Sequence, residues 1–353
     1  MEKNKSVFVG LSGGVDSSVA ALRLKQLGYD VTGVFIKVWH PDFLVCNWEQ
    51  ERLDAMRVAA KLGIPFLTCD AESEYRDSVA HYFIQSYRQG LTPNPDVMCN
   101  KEVKFGAFFN FAIEKGADYV ATGHYAQTIV KDNHVELHRG IDISKDQSYF
   151  LWTLSQEILK HVLFPVGNST KDIIRAEAAQ AGLLTAEKRD SQGVCFLGHI
   201  DIPDFLSHYI DLNEGSVLNE TGEVIGTHKG AFVYTIGQRQ GFTLHDHNPN
   251  RAPLYVTAKD TSENTITVSA TPPTLQVHTN LNLTHVILNS ATHVGENLEA
   301  QSRYRQKPFS VEVVAVNNTN LELKVLQSSE AVASGQSCVL YRGPVCIGGG
   351  IIL

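Results

Sequence analysis

Several features that define large classes of proteins are missing from this sequence of 353 residues. Its six cysteines form no C-x-x-C pair, which argues against a zinc site and against an extracellular disulfide framework. No apolar run approaches the length of a membrane span, so we expect no membrane partner. Lysine and arginine number 30 against 38 acidic residues, and the formal net charge of −8 argues against non-specific nucleic-acid binding over the whole surface. A local basic face stays compatible with that charge.

The N-terminal segment also lacks the pattern of a signal peptide, because the chain passes from Lys3 and Lys5 directly into a short apolar run. We therefore expect a cytoplasmic protein with reduced thiols. The composition, 43% hydrophobic and 19% charged, is ordinary for a globular protein. The length predicts two or three domains.

A glycine-rich turn lies between a predicted strand at residues 6–9 and a predicted helix that ends at Gly28. Glycines let the backbone approach a phosphate closely, and the free N–H groups of a first helical turn point at it. Asp16 is unexpected there, because a carboxylate repels a phosphate. It either caps the helix or holds Mg²⁺ against the phosphate. The turn consists of Gly10, Leu11, Ser12, Gly13, Gly14, Val15, Asp16, Ser17 and Ser18.

This turn differs from the two common nucleotide loops, because it has neither the Gly-Lys-Ser/Thr ending of a P-loop nor the pattern G-x-G-x-x-G. Ser-Gly-Gly-Val-Asp-Ser instead resembles the pyrophosphate loop of the ATP pyrophosphatase superfamily. That resemblance implies cleavage of ATP to AMP and pyrophosphate. The alternative is a glycine-rich turn without a ligand, and the strand and helix on either side favour the nucleotide loop.

Strands and helices alternate through the first half of the chain. We predict strands at 31–38, 65–69 and 118–122, helices at about 49–62 and 72–89, and a hairpin over 129–137 that turns at Asp132-Asn133. This alternation is typical of a parallel sheet covered on both faces, with ligands at the carboxyl ends of the strands. Both the glycine-rich turn and Gly123-His124-Tyr125 follow predicted strands.

Cys99 lies in a segment, residues 90–100, where two prolines are expected to forbid a helix. Asp96 stands three residues before it, and Lys101 and Lys104 follow at the start of a predicted helix. A thiol near a helix N-terminus and two lysines is expected to have a lowered pKa. The alternative, a small buried cysteine below a surface loop, fits the local sequence as well.

Cys195 lies between Gly193 and Gly198, in a segment that these glycines allow to flex. A thiol there can move between two partners. The neighbouring Val194, Phe196 and Leu197 fit a core position equally well.

Short β-rich runs separated by Ser, Asn and Thr turns dominate beyond residue 200. They predict a small, mostly β central domain and then a closed β-barrel, with boundaries at 1–200, 201–272 and 273–353. Arg303-Tyr304-Arg305 is the densest basic and aromatic cluster of this part. It suits either a solvated edge strand or an RNA contact in which arginines bind phosphates and the ring stacks on a base.

Several stretches together resemble the bacterial tRNA-specific 2-thiouridylase family over essentially the full length. They are residues 12–18, 94–105, 121–126, 145–150, 190–196, 237–239, 335–337 and 348–350. The resemblance implies an α/β fold with an N-terminal pyrophosphate-loop domain of the adenine nucleotide α-hydrolase type. Ile36 departs from the family, which has a methionine that contacts the nucleotide; a backbone contact would survive this change.

The family reaction implied by this resemblance is thiolation of a tRNA. ATP, with Mg²⁺, adenylates the C2 oxygen of the wobble uridine in the anticodon. A persulfide sulfur, supplied by a cysteine desulfurase relay, then displaces AMP and leaves 2-thiouridine. Cys195 is expected to carry the persulfide, Cys99 to act as the nucleophilic resolving thiol, and Asp96 to act as general acid or base.

The resemblance also assigns binding residues. ATP contacts fall on residues 10–17 together with Ile36 and Gly123, and Asp16 is the candidate Mg²⁺ ligand. Contacts to the target base fall on Asn94, Pro95 and Asp96. Contacts to the rest of the tRNA fall on His124, Lys145, Asp146, Gln147, Arg303, Tyr304, Arg305 and Gln336.

Two other function classes fit the glycine-rich turn. A small-molecule amidotransferase or ligase would use the same loop, but it needs a nitrogen donor and no paired cysteines. A non-catalytic RNA-binding protein with a decayed nucleotide loop is the other class, and the intact Ser-Gly-Gly-x-Asp-Ser argues against it. The substrate that stimulates pyrophosphate release from ATP discriminates among the three.

Overall fold

The computed structural model describes residues 4–44, 48–132, 134–189, 193, 195, 198, 200–246 and 252–353. Cys46, Asn133 of the predicted hairpin turn, and most of the predicted segment 190–196 lie outside the described residues. The chain divides into two compact units. The first comprises Met1–Ala80, Pro95–Gly198 and Tyr341–Gly348, and the second His81–Asn94, His199–Leu340 and Gly349–Leu353. The boundaries predicted at 200 and 272 stay predictions.

The strands and helices of the N-terminal half follow the predicted alternation. The strands are β1 (Ser6–Gly10), β2 (Asp30–Lys37), β3 (Phe66–Asp70), β4 (Tyr119–Ala121), β5 (Ala126–Lys131), β6 (His134–Arg139) and β7 (Val162–Leu163). The helices are α1 (Val15–Gln26), α2 (Trp48–Leu62), α3 (Glu72–Glu74), α4 (His81–Arg88), α5 (Pro95–Met98), α6 (Phe108–Glu114), α7 (Gln156–Leu159) and α8 (Lys171–Gln180). A 3₁₀ turn spans Ser148–Leu151.

A parallel sheet with the order β3-β2-β1-β4-β7 forms the centre of the first unit. From β1 the chain adds β2 and β3 on one side and later β4 and β7 on the other. The strand order therefore reverses between β1 and β4, and ligands of such sheets bind at the carboxyl ends on either side of this switch point. The glycine-rich turn follows β1, and Gly123 follows β4.

The central strand β1 is buried on both faces. Val7 and Val9 belong to one apolar cluster, which includes the buried side of α1. Phe8, which points to the other face because side chains alternate along a strand, belongs to a second cluster with Phe108. The prediction of a parallel sheet covered on both faces is confirmed.

Two π-helical segments, Tyr75–Ala80 and Cys99–Ala107, interrupt the regular helices. The expectation that two prolines forbid a helix before Cys99 is wrong. Helix α5 begins at Pro95 itself, and the helical backbone continues through Cys99. Proline suits the first helical position, because its missing N–H has no partner there and its fixed φ already matches the helix.

The strands β5 and β6 form the predicted antiparallel hairpin, with Lys131 opposite His134. On its other side β6 pairs with Val345 and Cys346.

The second unit is mostly β, as predicted. Its central part contains helix α9 (Ile202–Ser207), a 3₁₀ turn (Ala231–Val233) and a sheet of order β10-β9-β8-β12-β11. These strands are β8 (Gly215–Leu218), β9 (Val224–His228), β10 (Phe242–Leu244), β11 (Tyr255–Asp260) and β12 (Thr265–Ser269). Three of them, β8, β9 and β10, lie within turn-rich sequence before residue 254.

The C-terminal strands close a barrel, which confirms the predicted architecture. Six of them pair in the order β14-β17-β16-β15-β19-β20, and β20 pairs with β14 to close the circle. The strands are β13 (Thr274–Leu275), β14 (Asn280–Leu288), β15 (Asn297–Gln301), β16 (Phe309–Val316), β17 (Asn320–Val325), β18 (Ser329–Glu330), β19 (Ser337–Arg342) and β20 (Val345–Ile352). Within the described residues, no helix has the length and apolar character needed to cross a membrane.

Candidate active site

The glycine-rich turn of the first unit is held in a fixed shape by its neighbours. Gly13 has φ +70°, a conformation that favours glycine, and a Cβ there would lie 2.8 Å from the carbonyl oxygen of Glu51. Gly14 is the N-cap of α1. The first-turn amides of α1 have no carbonyl oxygen to bond within the helix, so the turn presents the start of α1 as an anion site.

Two of the three serines stabilise the turn itself. The hydroxyl groups of Ser17 and Ser18 donate to the carbonyl oxygen of Gly14, at 3.2 and 2.7 Å, and both residues are buried. Ser12 is exposed, and its hydroxyl accepts the N–H of Gly14 at 3.3 Å. Ser12 is therefore the serine of the turn best placed to meet a ligand.

The structure brings the other predicted nucleotide residues to this turn. A Cβ on Gly123 would lie 2.6 Å from the backbone nitrogen of Ser17, so the end of β4 packs directly on the first turn of α1. The Ile36 side chain belongs to the apolar core, and its Cδ1 would lie 3.7 Å from a Cβ on Gly10. Residues 10–17, Ile36 and Gly123 thus surround the carboxyl ends of β1 and β4.

Asp16 neither caps α1 nor offers a free carboxylate. Gly14 is the N-cap and carries no side-chain cap. The ammonium group of Lys171 donates to both oxygens of Asp16 at 2.8 Å, and the hydroxyl of Tyr125 donates to Oδ1 at 2.7 Å. In this arrangement both oxygens of the Asp16 carboxylate are bound by an ammonium group, which makes the side chain a poor ligand for Mg²⁺. Asp16 does not fit the metal role predicted for it.

Lys171 is a residue of this site that sequence reasoning missed. It is the first residue of α8, and its backbone N–H donates to Asp142 at 3.1 Å. The sequence shows the helix start at Ser169-Thr170, but nothing in the pattern shows that the following lysine reaches a turn 155 residues earlier.

The two predicted thiols meet in the first unit. Sγ of Cys99 lies 3.2 Å from Sγ of Cys195, although 96 positions separate them in the chain. Two contacts hold Cys195 there: its N–H donates to Asp96 Oδ1 at 2.8 Å, and the Tyr75 hydroxyl donates to its carbonyl oxygen at 2.9 Å. Asp96, which precedes Cys99 by three residues in the chain, therefore binds the backbone of Cys195.

The two thiols differ in acidity, and the prediction for Cys99 is wrong. Burial raises the pKa of Cys99 well above its usual value, and the hydrogen bond that it donates to Cys195 raises it further. That same hydrogen bond lowers the pKa of Cys195, and the positive charge of Lys104 lowers it too, against the opposing effect of burial. Cys195 is thus the more acidic thiol of the pair, and Cys99 is its hydrogen-bond donor.

The π-helical segment explains why Lys104 acts at the thiols. Residues five apart, such as Cys99 and Lys104, come together on one face of a π-helical turn, which is a form often found at functional sites. Burial opposes the charge of Lys104, yet its pKa is raised because the sulfur atoms of Cys195 and Cys99 stabilise the ammonium group. Lys101 instead pairs with Glu102 at 2.8 Å.

The pKa of the Asp96 carboxyl group is also shifted by its surroundings. Burial raises the pKa of Asp96, although the N–H of Cys195 and the charge of Lys104 oppose this. A carboxylate with a raised pKa accepts a proton more readily than an ordinary aspartate, which suits a general acid or base.

Three side chains of the first unit that are predicted to contact tRNA make hydrogen bonds within the protein. His124 is buried, its Nδ1 lies 2.7 Å from the Thr122 hydroxyl, and burial lowers its pKa well below the usual value. The Asp146 carboxylate accepts from Arg139 at 2.9 Å and from backbone amides of its own loop. Gln147 Oε1 accepts the N–H of Tyr125 at 3.0 Å. In this arrangement these three side chains shape the loop, and Lys145 beside them is half-buried.

Among the predicted tRNA contacts of the second unit, Arg303 is bound internally and Arg305 is exposed. Arg303 donates to the carbonyl oxygens of Ile236 and Ala331 at 2.8 and 3.2 Å, which is a structural role. Arg305 is exposed with φ +62° and lies 5.1 Å from the Tyr304 ring centre. Arg305 is therefore the exposed member of the cluster, whereas Arg303 and Tyr304 are half-buried.

Gln336 has a structural contact that the sequence does not show. Its amide donates to the carbonyl oxygens of Thr92 and Pro93 at 3.0 and 3.3 Å. Thr92 is also bonded to Thr235 at 3.1 Å. Gln336 thus fixes the segment that leads to Asn94, one of the residues predicted to meet the target base.

Family models cover almost the whole chain. One described as "tRNA methyl transferase HUP domain" matches residues 5–199, a "tRNA methyl transferase PRC-barrel domain" matches 203–270, and an "Aminomethyltransferase beta-barrel domain" matches 278–352. A curated relative from Enterococcus faecalis, named tRNA-specific 2-thiouridylase MnmA, is 43% identical over 98% of this chain and 94% of its own. The chain belongs to the tRNA-specific 2-thiouridylase family.

Two further comparisons were found. A tRNA-specific 2-thiouridylase MnmA from Francisella tularensis is 42% identical over 99% of this chain and 100% of its own. Among solved structures, the U34-tRNA thiolase NcsA from Methanococcus maripaludis has a TM-score of 0.36 at 16% identity, covering 59% of this chain and 65% of that one. That likeness is too distant to bear on function.

Proposed function

We propose that this chain is a tRNA-uridine 2-sulfurtransferase, which activates the C2 oxygen of the wobble uridine with ATP and replaces it with sulfur from a cysteine persulfide. The observation that carries the proposal is the pair of thiols, Cys99 and Cys195, with their sulfur atoms 3.2 Å apart in the unit that holds the phosphate loop. The names of the curated relatives supply the substrate class, a tRNA.

The thiol pair and the phosphate loop are linked through packing. The π-helical segment that starts at Cys99 runs directly into α6, whose first residue is Phe108. Cε1 of Phe108 would lie 3.4 Å from a Cβ on Gly10. A uridine beside Asp96 would lie next to the two sulfur atoms, and Cys99 shares one apolar cluster with Ile36, a predicted nucleotide contact. This arrangement suits consecutive activation and sulfur transfer without movement of the base between sites.

In the activation step, the C2 oxygen of uridine attacks the α-phosphorus of ATP. The bond from that phosphorus to the bridging oxygen breaks, and pyrophosphate leaves. The N3 proton of the base goes to Asp96, whose raised pKa makes it a stronger base than an ordinary aspartate. The first turn of α1 holds the phosphates, because its unpaired amides and its helix dipole favour negative charge.

In the transfer step, Cys195 carries the persulfide. The lowered pKa of Cys195 supports this role, since a thiolate is needed to accept the outer sulfur from a donor persulfide. The outer sulfur attacks C2, the bond between C2 and oxygen breaks, and AMP leaves with that oxygen. The base is then joined to Cys195 by a disulfide bond.

Cys99 completes the reaction as the resolving thiol. Its sulfur attacks the sulfur of Cys195, and the bond from that sulfur to the outer sulfur breaks. The proton that Cys99 gives up passes to the departing 2-thiouridine, and a disulfide is left between the two cysteines. A dithiol reductant returns two electrons and two protons. Burial raises the pKa of Cys99, so this thiol stays protonated and unreactive until the adduct forms beside it.

The family descriptions leave one alternative, because two of the matching family models are described as tRNA methyl transferase domains while the relatives are named thiouridylases. Two adjacent thiols with opposed pKa shifts favour sulfur transfer, because one can carry a persulfide while the other stays protonated beside it. Sulfur transfer needs both.

The experiment measures pyrophosphate release from ATP and analyses tRNA nucleosides by mass spectrometry. With tRNA that has a wobble uridine and with a persulfide donor, we expect pyrophosphate release and 2-thiouridine. A matched tRNA with cytidine at that position should support neither. Release stimulated by a small acid or nucleotide instead of tRNA would establish a ligase, and methylated uridine as the product would overturn the sulfur chemistry.

A further inference from the structure

Lys171 lies beside the phosphate loop without any role in the chemistry described so far. Its ammonium group is 2.8 Å from both carboxylate oxygens of Asp16, and its side chain is only 10% exposed. The Asp16 carboxylate is also bound by the Tyr125 hydroxyl, and its side chain is 30% exposed. Asp16 is therefore the more solvent-accessible member of the pair, and the Tyr125 hydroxyl holds its carboxylate in place.

The position of Asp16 makes the cation necessary. Gly14 is the N-cap of α1, so Asp16 is the second residue of the helix, within the turn where the amides attract an anion. A polyphosphate bound there comes close to the Asp16 carboxylate, and two anions in a partly buried place repel each other. An ammonium group held at 2.8 Å removes that repulsion and adds a donor for phosphate oxygens.

The contacts also explain why Lys171 is held so firmly. A lysine side chain is flexible, and holding it in one place costs conformational entropy. Asp16 binds its ammonium group with both oxygens, and the aromatic ring of Tyr125 lies 5.8 Å from it. The same two residues thus keep the charge near the loop before any ligand arrives.

We propose that Lys171 binds the terminal phosphates of ATP, the part that leaves as pyrophosphate, and that Asp16 acts as a positioning residue that holds this lysine in place instead of ligating Mg²⁺. The proposal rests on the proposed function, because it requires a nucleotide at the glycine-rich turn. It adds a residue on α8 to a site otherwise built by residues 10–17, Ile36 and Gly123.

The test compares three ligands in the presence of EDTA, by calorimetry on the full chain. The ligands are ATP, inorganic pyrophosphate and AMP, and the variant is Lys171→Met, which keeps the length of the side chain and removes its charge. Since a hydrogen bond to a charged group contributes about 1.5–3 kcal/mol, we expect affinity for ATP and pyrophosphate to fall roughly 10- to 100-fold. Affinity for AMP, which lacks the terminal phosphates, should stay within about twofold of wild type.

A matched control separates binding from the structural tie between helices. Arg23 on α1 and Glu177 on α8 form a second ion pair between the same two helices, with 2.6 Å between Nη2 and Oε1. Glu177→Gln should lower the melting temperature without changing affinity for any of the three ligands. Equal loss of pyrophosphate affinity in this control would assign Lys171 a purely structural role.

A second measurement on the wild-type chain covers the case in which Lys171→Met does not fold. Lysine acylation is followed by peptide mass spectrometry with and without ligand. Pyrophosphate should protect Lys171, and AMP at the same occupancy should not. Wild-type chain that binds ATP without protecting Lys171 overturns this inference alone, whereas wild-type chain that binds no ATP overturns the proposed function.

Discussion

Replacing Gly123 with alanine tests whether the end of β4 sets the shape of the phosphate loop. The added Cβ would lie 2.6 Å from the Ser17 nitrogen and 2.7 Å from the Asp16 carbonyl carbon. Ordinary contact begins near 3.4 Å, so the first turn of α1 has to retreat by about 0.8 Å, and such overpacking costs about 1–3 kcal/mol. The opposing atoms are backbone, which no side-chain rotation can move away.

The assay measures ATP affinity by calorimetry and stability by thermal unfolding. We expect Gly123→Ala to lose roughly tenfold or more in ATP affinity, because a displacement of this size breaks contacts made by several amides at once. The control is Gly350→Ala in the barrel, where the Cβ would lie 2.9 Å from Leu283 Cβ and 3.0 Å from the Thr284 oxygen. It should lower stability and leave ATP affinity unchanged. Wild-type ATP affinity in Gly123→Ala would refute the reasoning.

Two further predictions concern the thiols and the RNA contact. Lys104→Met should raise the pKa of Cys195, so that alkylation of Cys195 slows at neutral pH and recovers as the pH rises above the new pKa. Lys101→Met is the control, because Lys101 pairs with Glu102. An unchanged pH profile of the alkylation rate in Lys104→Met would show that Lys104 does not act on Cys195. Arg305→Ala should weaken tRNA binding and lower the slope of log affinity against log salt by about one, whereas Arg303→Ala should mainly lower the melting temperature, because that guanidinium group donates to two main-chain carbonyl groups. A full loss of salt slope in Arg303→Ala with none in Arg305→Ala would reverse this assignment.

Much of the fold follows from local patterns in the sequence. The strand before Gly10 and the helix after it are visible in apolar periodicity, and the alternation that follows predicts a parallel sheet. The strands between residues 215 and 244 are harder to predict, because they are only three to five residues long and lie in sequence rich in turns. The helix at Pro95 was missed for another reason: proline was weighed as a helix breaker and not as a first helical residue.

The sequence alone indicates which residues carry the chemistry of the site, but it does not show which of them contact one another. Cys99 and Cys195 stand out in the sequence, yet only the fold shows that burial and a mutual hydrogen bond shift their pKa values in opposite directions. Asp16 resembles a metal ligand in the sequence until the fold brings Lys171 to it. Long-range contacts of this kind depend on how the elements pack, which no local pattern encodes.

The central claim is that sulfur passes through Cys195 and that Cys99 resolves the adduct. The most direct test supplies ³⁵S-labelled persulfide to Cys99→Ser and Cys195→Ser variants with ATP and tRNA, and locates the label by peptide mass spectrometry. We predict label on Cys195 in the Cys99→Ser chain, with turnover stalled after AMP release. We predict no label in the Cys195→Ser chain, which should still release pyrophosphate from ATP. Label on Cys99 in the Cys195→Ser chain would reverse the two roles, and label on neither cysteine would contradict the persulfide mechanism.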